Sequence, residues 1–397
     1  MAIKGMDALD PRGKKIIIRV DFNVPMDKQT GKITDDTRIQ KALPTLHYVL
    51  DNGGSAILIS HMGRPKGQRD SFVTMQKTAD HLSTLLSNKI YFSEDAIGPK
   101  AGELAKNLKS GEILVLENIR FYPEETSKEK SERTKFAQAI AIMGDTYIDD
   151  AFGSCHRAHA SIVELAEQLP AYAGLLLKKE VDILERILKK PEKPFVAVIG
   201  GAKVSSKITV LEKLIEKVDT ILIGGAMAYT FLKSRALETG NSMVETEYLS
   251  KAFQIIDKAN FHKTGFFLPE DHLVASEFSE KAKTKTVGKE IPTGWMGMDI
   301  GPKTIDRYSK IIKDAKTVLW NGPMGVFEMQ PYSKGTYSIA KAMSKMKGTS
   351  VVGGGDSVLA VKNAGMEDKI THVSTGGGAT LEYLEGKILP GIAILDK

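Results

Sequence analysis

The chain has 397 residues, 42% of them hydrophobic and 26% charged, a soluble globular balance at a length where single cores usually split into domains. No apolar run reaches the roughly 20 residues that span a bilayer, no signal-like segment opens the chain, and the lone Cys155 excludes an intrachain disulfide, which together favour a cytoplasmic protein. The net charge of +6 suggests anionic partners, but basic runs interleaved with aromatics are missing, so a small phosphorylated ligand suits the pattern better than nucleic acid.

Short β-rich runs alternate with helical patterns along the chain. Lys15–Val20 reads as a buried strand and runs into Asp21-Phe22-Asn23-Val24-Pro25. Polar residues at the carboxyl end of a parallel strand lie where open α/β sheets bind ligands. Asp21 and Asn23 are two apart and would point the same way in an extended segment, although either could instead make an Asx turn before Pro25. Arg38 opens a helical pattern. Ala56–Ser60 ends in His61-Met62-Gly63-Arg64-Pro65, Ile113–Leu116 in Glu117-Asn118-Ile119-Arg120, and Thr146–Ile148 in a loop carrying Cys155, His156, Arg157 and His159. Strand ends of a parallel sheet share one edge, so His61, Arg64, Arg120, His156 and Arg157 are expected to converge on a dense anion such as phosphate. Cys155 beside His156 is read as a packing residue, since catalytic pairs of this kind are seldom adjacent in sequence.

Gly174–Pro194 shows helical spacing that Pro191 and Pro194 stop, and it is read as a helix joining two α/β domains. The boundaries expected are 1–173 for the first domain, 174–194 for the link, 195–379 for the second, and 380–397 for an apolar tail.

Phe195–Ile199 then leads into Gly200-Gly201-Ala202-Lys203, with Lys207 four residues on and expected to share a helix face with Lys203. Neither a P-loop nor a dinucleotide glycine fingerprint is present. Further strands end in Gly224-Gly225, in a turn at Trp295–Pro302 containing Gly297, in Asn321-Gly322 with Glu328 beyond, in Gly353-Gly354-Gly355-Asp356-Ser357, and in Gly376-Gly377-Gly378. A glycine-lined edge with few arginines can cradle a base and a phosphate chain through backbone amides. Asp356 is placed to hold Mg²⁺ together with substrate phosphates, or to cap a helix.

Taken together, RVDFNVP at 19–25, SHMGRP at 60–65, ENIRF at 117–121, DAFGSCHRAH at 150–159, GGAKVSSKI at 200–208, WNGPMGVFE at 320–328, GGGDS at 353–357 and STGGGA at 374–379 resemble phosphoglycerate kinases, in order and over essentially the whole chain. The resemblance implies two doubly wound parallel-sheet (Rossmann-like) domains joined by a hinge helix, with a tail that returns to the first domain. It implies transfer of a phosphoryl group between 1,3-bisphosphoglycerate and ADP, giving 3-phosphoglycerate and ATP, with Mg²⁺, by a monomer that closes about its hinge.

By the same resemblance, Asp21, Asn23, Arg38, His61, Arg64, Arg120, His156 and Arg157 would hold the phosphoglycerate. Arg38, Lys203, Gly376 and Gly377 would attend the phosphoryl in transit. Lys207 would bind nucleotide phosphates, Glu328 the ribose and Asp356 the metal, while Gly201, Gly224, Gly225, Gly297, Asn321, Gly353, Gly354, Gly355 and Ser357 would complete the nucleotide site. An arginine-rich edge is thus expected to face a glycine-rich one across the hinge. Ser357 stands where the family usually has threonine and keeps the hydroxyl. Cys155 stands where a small non-thiol residue is usual, and if exposed it would make the protein oxidisable. Two rivals are weaker: a nicotinamide-dependent dehydrogenase lacks its glycine fingerprint, and a nucleic-acid binder has only the basic pI, near 9.0, in its favour.

Overall fold

The structure, a computed structural model, describes residues 3–65 and 67–396. Residues up to Asp182, with those from Ile388 onward, form one compact unit, and Ile183–Lys387 forms a second.

The first unit is built on β1 (Lys15–Arg19), β2 (Ser55–Ile59), β3 (Ile90–Ser93), β4 (Ile113–Leu116), β5 (Thr146–Asp149) and β6 (Ala171–Ala173). They pair in parallel in the order β3-β4-β2-β1-β5-β6. Alternation along each strand feeds two cores. Ile16, Ile18, Ala56, Leu58, Ile113 and Val115 enter one, and Ile17, Ile57, Ile59, Leu114 and Leu116 enter the other. A sheet covered on both faces needs apolar residues at successive positions, which is why these strands read as continuous hydrophobic runs. The helix Thr37–Asp51 closes one face with Ile39, Leu46 and Val49, and Lys130–Ala141 closes the other with Phe136 and Ile140. Each such buried side chain contributes about 1.5–3 kcal/mol of transfer free energy. The chain reverses its direction across the sheet between β1 and β5, and a crevice opens beyond the carboxyl ends of those strands.

The helix Leu175–Lys189 starts on a side-chain cap: Asp150 Oδ1 accepts from the amides of Leu176 (2.9 Å) and Leu177 (3.1 Å). Glycine is required just before it, because a Cβ on Gly174 would lie 2.2 Å from Asp150 Oδ1. The returning segment buries Leu389, Ile392 and Leu395 in the first unit. There the Gly391 amide donates to the Cys155 carbonyl at 2.9 Å, and Lys4 N donates to the Leu395 carbonyl at 3.2 Å. Lys397, the end of the expected tail, lies outside the described residues.

The second unit holds β7 (Phe195–Ile199), β8 (Thr220–Ile223), β9 (Gly265–Phe267), β10 (His272–Ala275), β11 (Thr284–Val287), β12 (Met296–Ile300), β13 (Thr317–Asn321), β14 (Thr349–Gly353) and β15 (His372–Val373). Its parallel sheet runs β15-β14-β13-β7-β8-β9, with the reversal between β7 and β13. Val196, Val198, Val318, Trp320 and Val352 load one face of this sheet. A three-stranded antiparallel sheet, β11-β10-β12, accompanies it. The turn expected at Trp295–Pro302 is therefore mostly strand. Gly297 is there for close packing, since a Cβ would lie 2.0 Å from Tyr229 Oη. Among the described residues no helix is long and apolar enough to cross a membrane.

Candidate active site

In the first unit the strand-end loops bring Arg64, Arg120 and Arg157 onto one cavity of about 300 Å³, with Gly67, Thr126 and His159. Each arginine leaves a different strand, as edge convergence requires. His156, expected among them, is not a lining residue; His159 takes that place. The two histidines follow the 3₁₀ turn at Phe152–Ser154 and do not sit at a strand end, and only His159 reaches the cavity.

A hydrogen-bonded chain ties Asp21, Asn23 and Arg38 to this cavity. Arg38 Nη1 donates to Asp21 Oδ2 at 2.8 Å, and Asp21 Oδ1 accepts from the Asn23 amide at 3.2 Å. Asn23 Oδ1 accepts from Gly63 N (2.9 Å), whose carbonyl accepts from Arg120 Nη1 (2.8 Å). Asp21 therefore makes the Asx turn and the ion pair at once. Behind them Asn118, fully buried, donates to the carbonyls of Met62 and Val73, both at 2.8 Å, and fixes the loop after β2.

The electrostatics are those of crowded positive charge out of water. Burial, then Arg19, Arg120, Arg38 and His159, holds His61 well below the usual imidazole range. Burial and the neighbouring arginines push His159 down to about 3. Burial foremost, with Arg19 and Arg64, lowers Arg120 to about 10, against the pull of Glu125 and Asp21. An anion bound here would relieve that repulsion. Cys155 is fully buried, and burial followed by Asp149 raises its thiol well above the ordinary value. The oxidisable cysteine expected of an exposed position is thus corrected: the thiol packs at 3.4 Å from Asp149 Oδ2.

The second unit presents two adjoining cavities that share Gly201, Ala202, Pro323 and Asp356. The larger, about 470 Å³, is walled by Tyr229, Met243, Phe278, Met296 and Met298, with Gly225, Gly297 and Glu328 also lining it. The other, about 310 Å³, is lined by Lys207, Asn321, Ser357 and a run of glycines that includes Gly354, Gly355, Gly377 and Gly378. Gly225, at φ +68°, must be glycine, because a Cβ would lie 2.5 Å from both N and O of Gly201. Ser357 Oγ accepts from Gly322 N at 2.6 Å, so the hydroxyl that serine shares with threonine has a structural use. Lys207 Nζ donates to Asn321 Oδ1, while Asn321 Nδ2 donates to the Gly353 carbonyl at 2.8 Å. Burial lowers Lys207 to about 8, with Asp356 and Glu385 opposing.

Several expectations shift here. The helix begins at Ile208, so Lys203 and Lys207 share no helix face; Lys203 is exposed and lines neither cavity. Asp356 lies in the first turn of the helix Gly355–Asn363 and Gly354 takes the cap position. Gly224 packs under Met324, whose Sδ would be 2.4 Å from a Cβ, and does not line a cavity. Gly353 and Gly376 likewise stand behind the lining, Gly376 N donating to Ser374 Oγ at 3.1 Å. Sequence reasoning also missed Tyr229, Met243 and Phe278, which come from stretches without any polar motif. Among the described residues no cluster of three or more His, Cys, Asp or Glu side chains could hold a metal alone. The exposed Asp356 carboxylate lines both cavities and fits the single-carboxylate arrangement that Mg²⁺ adopts with nucleotide phosphates.

A family model described as phosphoglycerate kinase matches residues 6–387. The phosphoglycerate kinase of Leptospira biflexa serovar Patoc is 55% identical over 385 residues, covering 97% of this chain and 96% of that one. That of Anaeromyxobacter dehalogenans strain 2CP-C is 49% identical, covering 99% of each. Among solved structures, phosphoglycerate kinase from Coxiella burnetii superposes with a TM-score of 0.88 at 38% identity and 99% coverage of both chains. The enzyme from Pyrococcus horikoshii OT3 gives 0.87 at 32% identity, covering 99% of this chain and 98% of the other. With these matches over its whole length, the chain belongs to the phosphoglycerate kinase family.

Proposed function

We propose that this chain catalyses reversible phosphoryl transfer between the acyl phosphate of 1,3-bisphosphoglycerate and Mg-ADP, giving 3-phosphoglycerate and ATP. One observation carries the reading. An arginine-walled cavity occurs on one unit, and on the other an apolar cavity adjoins one lined by glycines and a lysine. A compact phosphorylated acid needs the first, and a base with its phosphate chain needs the second.

In this reading Arg64, Arg120 and Arg157 clamp the acid's phosphate, while Asp21, Asn23, Arg38 and His61 orient its other end. The apolar cavity takes the base, Glu328 the ribose, and Lys207 with the glycine amides the phosphates. Bound Mg²⁺ would neutralise phosphate oxygens, with Asp356 as its protein ligand. Phosphoryl transfer needs little covalent help, so positioning and charge stabilisation supply most of the rate. The attacking oxygen, of a phosphate or a carboxylate, is already ionised and needs no general base. Arg38, Lys203 and the amides near Gly376 and Gly377 are assigned to the moving charge. Hinge-bending closure, a monomeric state and a cytoplasmic setting complete the proposal, closure because water must be kept from an acyl phosphate.

The test is purified protein with Mg-ATP and 3-phosphoglycerate, coupled through glyceraldehyde-3-phosphate dehydrogenase to NADH loss. Loss that requires ATP, the acid and this protein together supports the reading. No loss, with ATP still bound, sends the search to other phosphorylated acids.

A further inference from the structure

Arg19, which no role above employs, ends β1 with its side chain wholly buried. Its Nε donates to Ser161 Oγ at 3.0 Å, Nη1 donates to the Val20 carbonyl, and Nη2 donates to His61 Nδ1 at 3.0 Å, with Ser154 Oγ at 3.4 Å. A guanidinium has donors only, so every one of these bonds has a known direction. His61 Nδ1 must therefore present a lone pair. The far side is equally directed: Ser161 accepts from Arg19, then donates Oγ–H to Glu125 Oε1 (2.7 Å) and N–H to Oε2 (2.9 Å).

An imidazole that accepts at Nδ1 and stays neutral carries its proton on Nε2. Burial and the surrounding Arg19, Arg120, Arg38 and His159 all oppose a second proton. The ring is 4% exposed, and among the described residues Nε2 has no hydrogen-bond partner yet is not one of the sealed, unpartnered atoms, so it is the edge open to solvent. We propose that Arg19 is a positioning residue that locks His61 as its Nε2–H tautomer, making it a directed hydrogen-bond donor to the phosphorylated acid. This rests on the reading of the first unit as the site of that acid. The alternation that places Arg19 inside the sheet explains the arrangement: a charge at the last strand position is turned inward, where it can only serve a neighbour.

The first test is ¹⁵N-resolved NMR of the imidazoles in the full chain, with His61 identified by its loss in His61→Gln. A protonated Nε2 and an unprotonated Nδ1 are expected. The Nδ1–H tautomer or an imidazolium at pH 7 overturns the assignment. In Arg19→Lys, if folded by circular dichroism, the tautomer signals should mix and KM for 3-phosphoglycerate should rise about ten- to a hundredfold, the loss of one charge-assisted bond, with KM for ATP unchanged. Should Arg19→Lys not fold, His61→Gln and His61→Asn decide it. Glutamine sets its amide near Nε2 and asparagine near Nδ1, so glutamine should retain the better KM; asparagine as good or better overturns the proposal. Complete absence of turnover with 3-phosphoglycerate would remove the functional reading, while the imidazole spectrum would still uphold or overturn the role of Arg19.

Discussion

In the proposed reading the two parallel sheets solve one problem, holding an anion at the carboxyl edge of strands, with opposite materials. On the first, long charged side chains from separate loops reach into a cavity, and the backbone beneath them is fixed by polar residues such as the buried Asn118 and the partly buried Asp21. On the second, side chains are removed: Gly200, Gly225 and Gly322 let loops approach until a Cβ on Gly225 would strike the Gly201 backbone at 2.5 Å. Arginines suit a small, dense charge that must be gripped from several sides. Bare amides suit a long phosphate chain with a flat base, where shape matters more than charge.

The sharpest way to break this contrast is Arg38→Ala. Its guanidinium is held by Asp21 at 2.8 Å yet stays about a third exposed, so removing it should spare the fold. The expected loss in kcat is about 10²–10³-fold, as for other deleted transition-state donors. Steady-state kinetics beside an unchanged circular dichroism spectrum checks it, and near-normal turnover would strike Arg38 from the catalytic list.

On the glycine side the counterpart is Gly225→Ala, which adds strain at φ +68° to the backbone collision. A stability loss of about 1–3 kcal/mol and weaker ADP binding are expected. Gly355→Ala, with open space around its Cβ, is the control and should keep its unfolding midpoint. Equal midpoints for the two variants would mean that close backbone approach does not build this edge.

These contrasts also explain what could be read in advance. Strands such as Ile16–Ile18 and Phe195–Ile199 were legible because burial on both faces demands apolar runs. Arginine loops and glycine loops were legible because each replaces a residue type a plain turn would use. Burial of single side chains was not. Cys155 is read as a packing residue, as its burial bears out, but also as oxidisable if exposed, and only the packing of Gly391 on it decides between the two. Arg19 sits in a polar motif, and only the pleat of β1 shows it to be interior. The antiparallel strands β10–β12 escaped too, since Gly297 reads as a turn until Tyr229 is known to press on it. The apolar cavity wall carries no motif at all.

Lys207→Ala should weaken ADP affinity about ten- to a hundredfold, by calorimetry, since a charge-assisted bond is lost. Wild-type affinity should also fall as pH rises above about 8, because burial brings Lys207 into titration there and phosphates favour its charged form. Binding at pH 8.5 should then take up a proton, visible as a dependence of the heat on buffer ionisation enthalpy. An unchanged dissociation constant in Lys207→Ala would count against the lysine.

The smallest effect is expected behind the arginine cavity, at Glu125. Burial raises this carboxyl from 4.5 to about 7, the pull of Arg19 and the bonds from Ser161 offsetting only part. A raised acid disfavours its charged form in the native state. Between pH 4.5 and about 7 the native chain thus holds a proton that the unfolded chain has released, and stability declines as pH rises through that window. His61 and His159, shifted downward, act in the opposite sense, but they are common to wild type and to Glu125→Gln and cancel in the difference. Urea midpoints of the two chains at pH 5 and pH 7.5 should therefore converge, or cross in favour of the variant, at the higher pH. A gap that widens with pH would show Glu125 to be better off ionised, held by Arg19 through Ser161, and the arginine side would then be closer to charge balance than its crowding suggests.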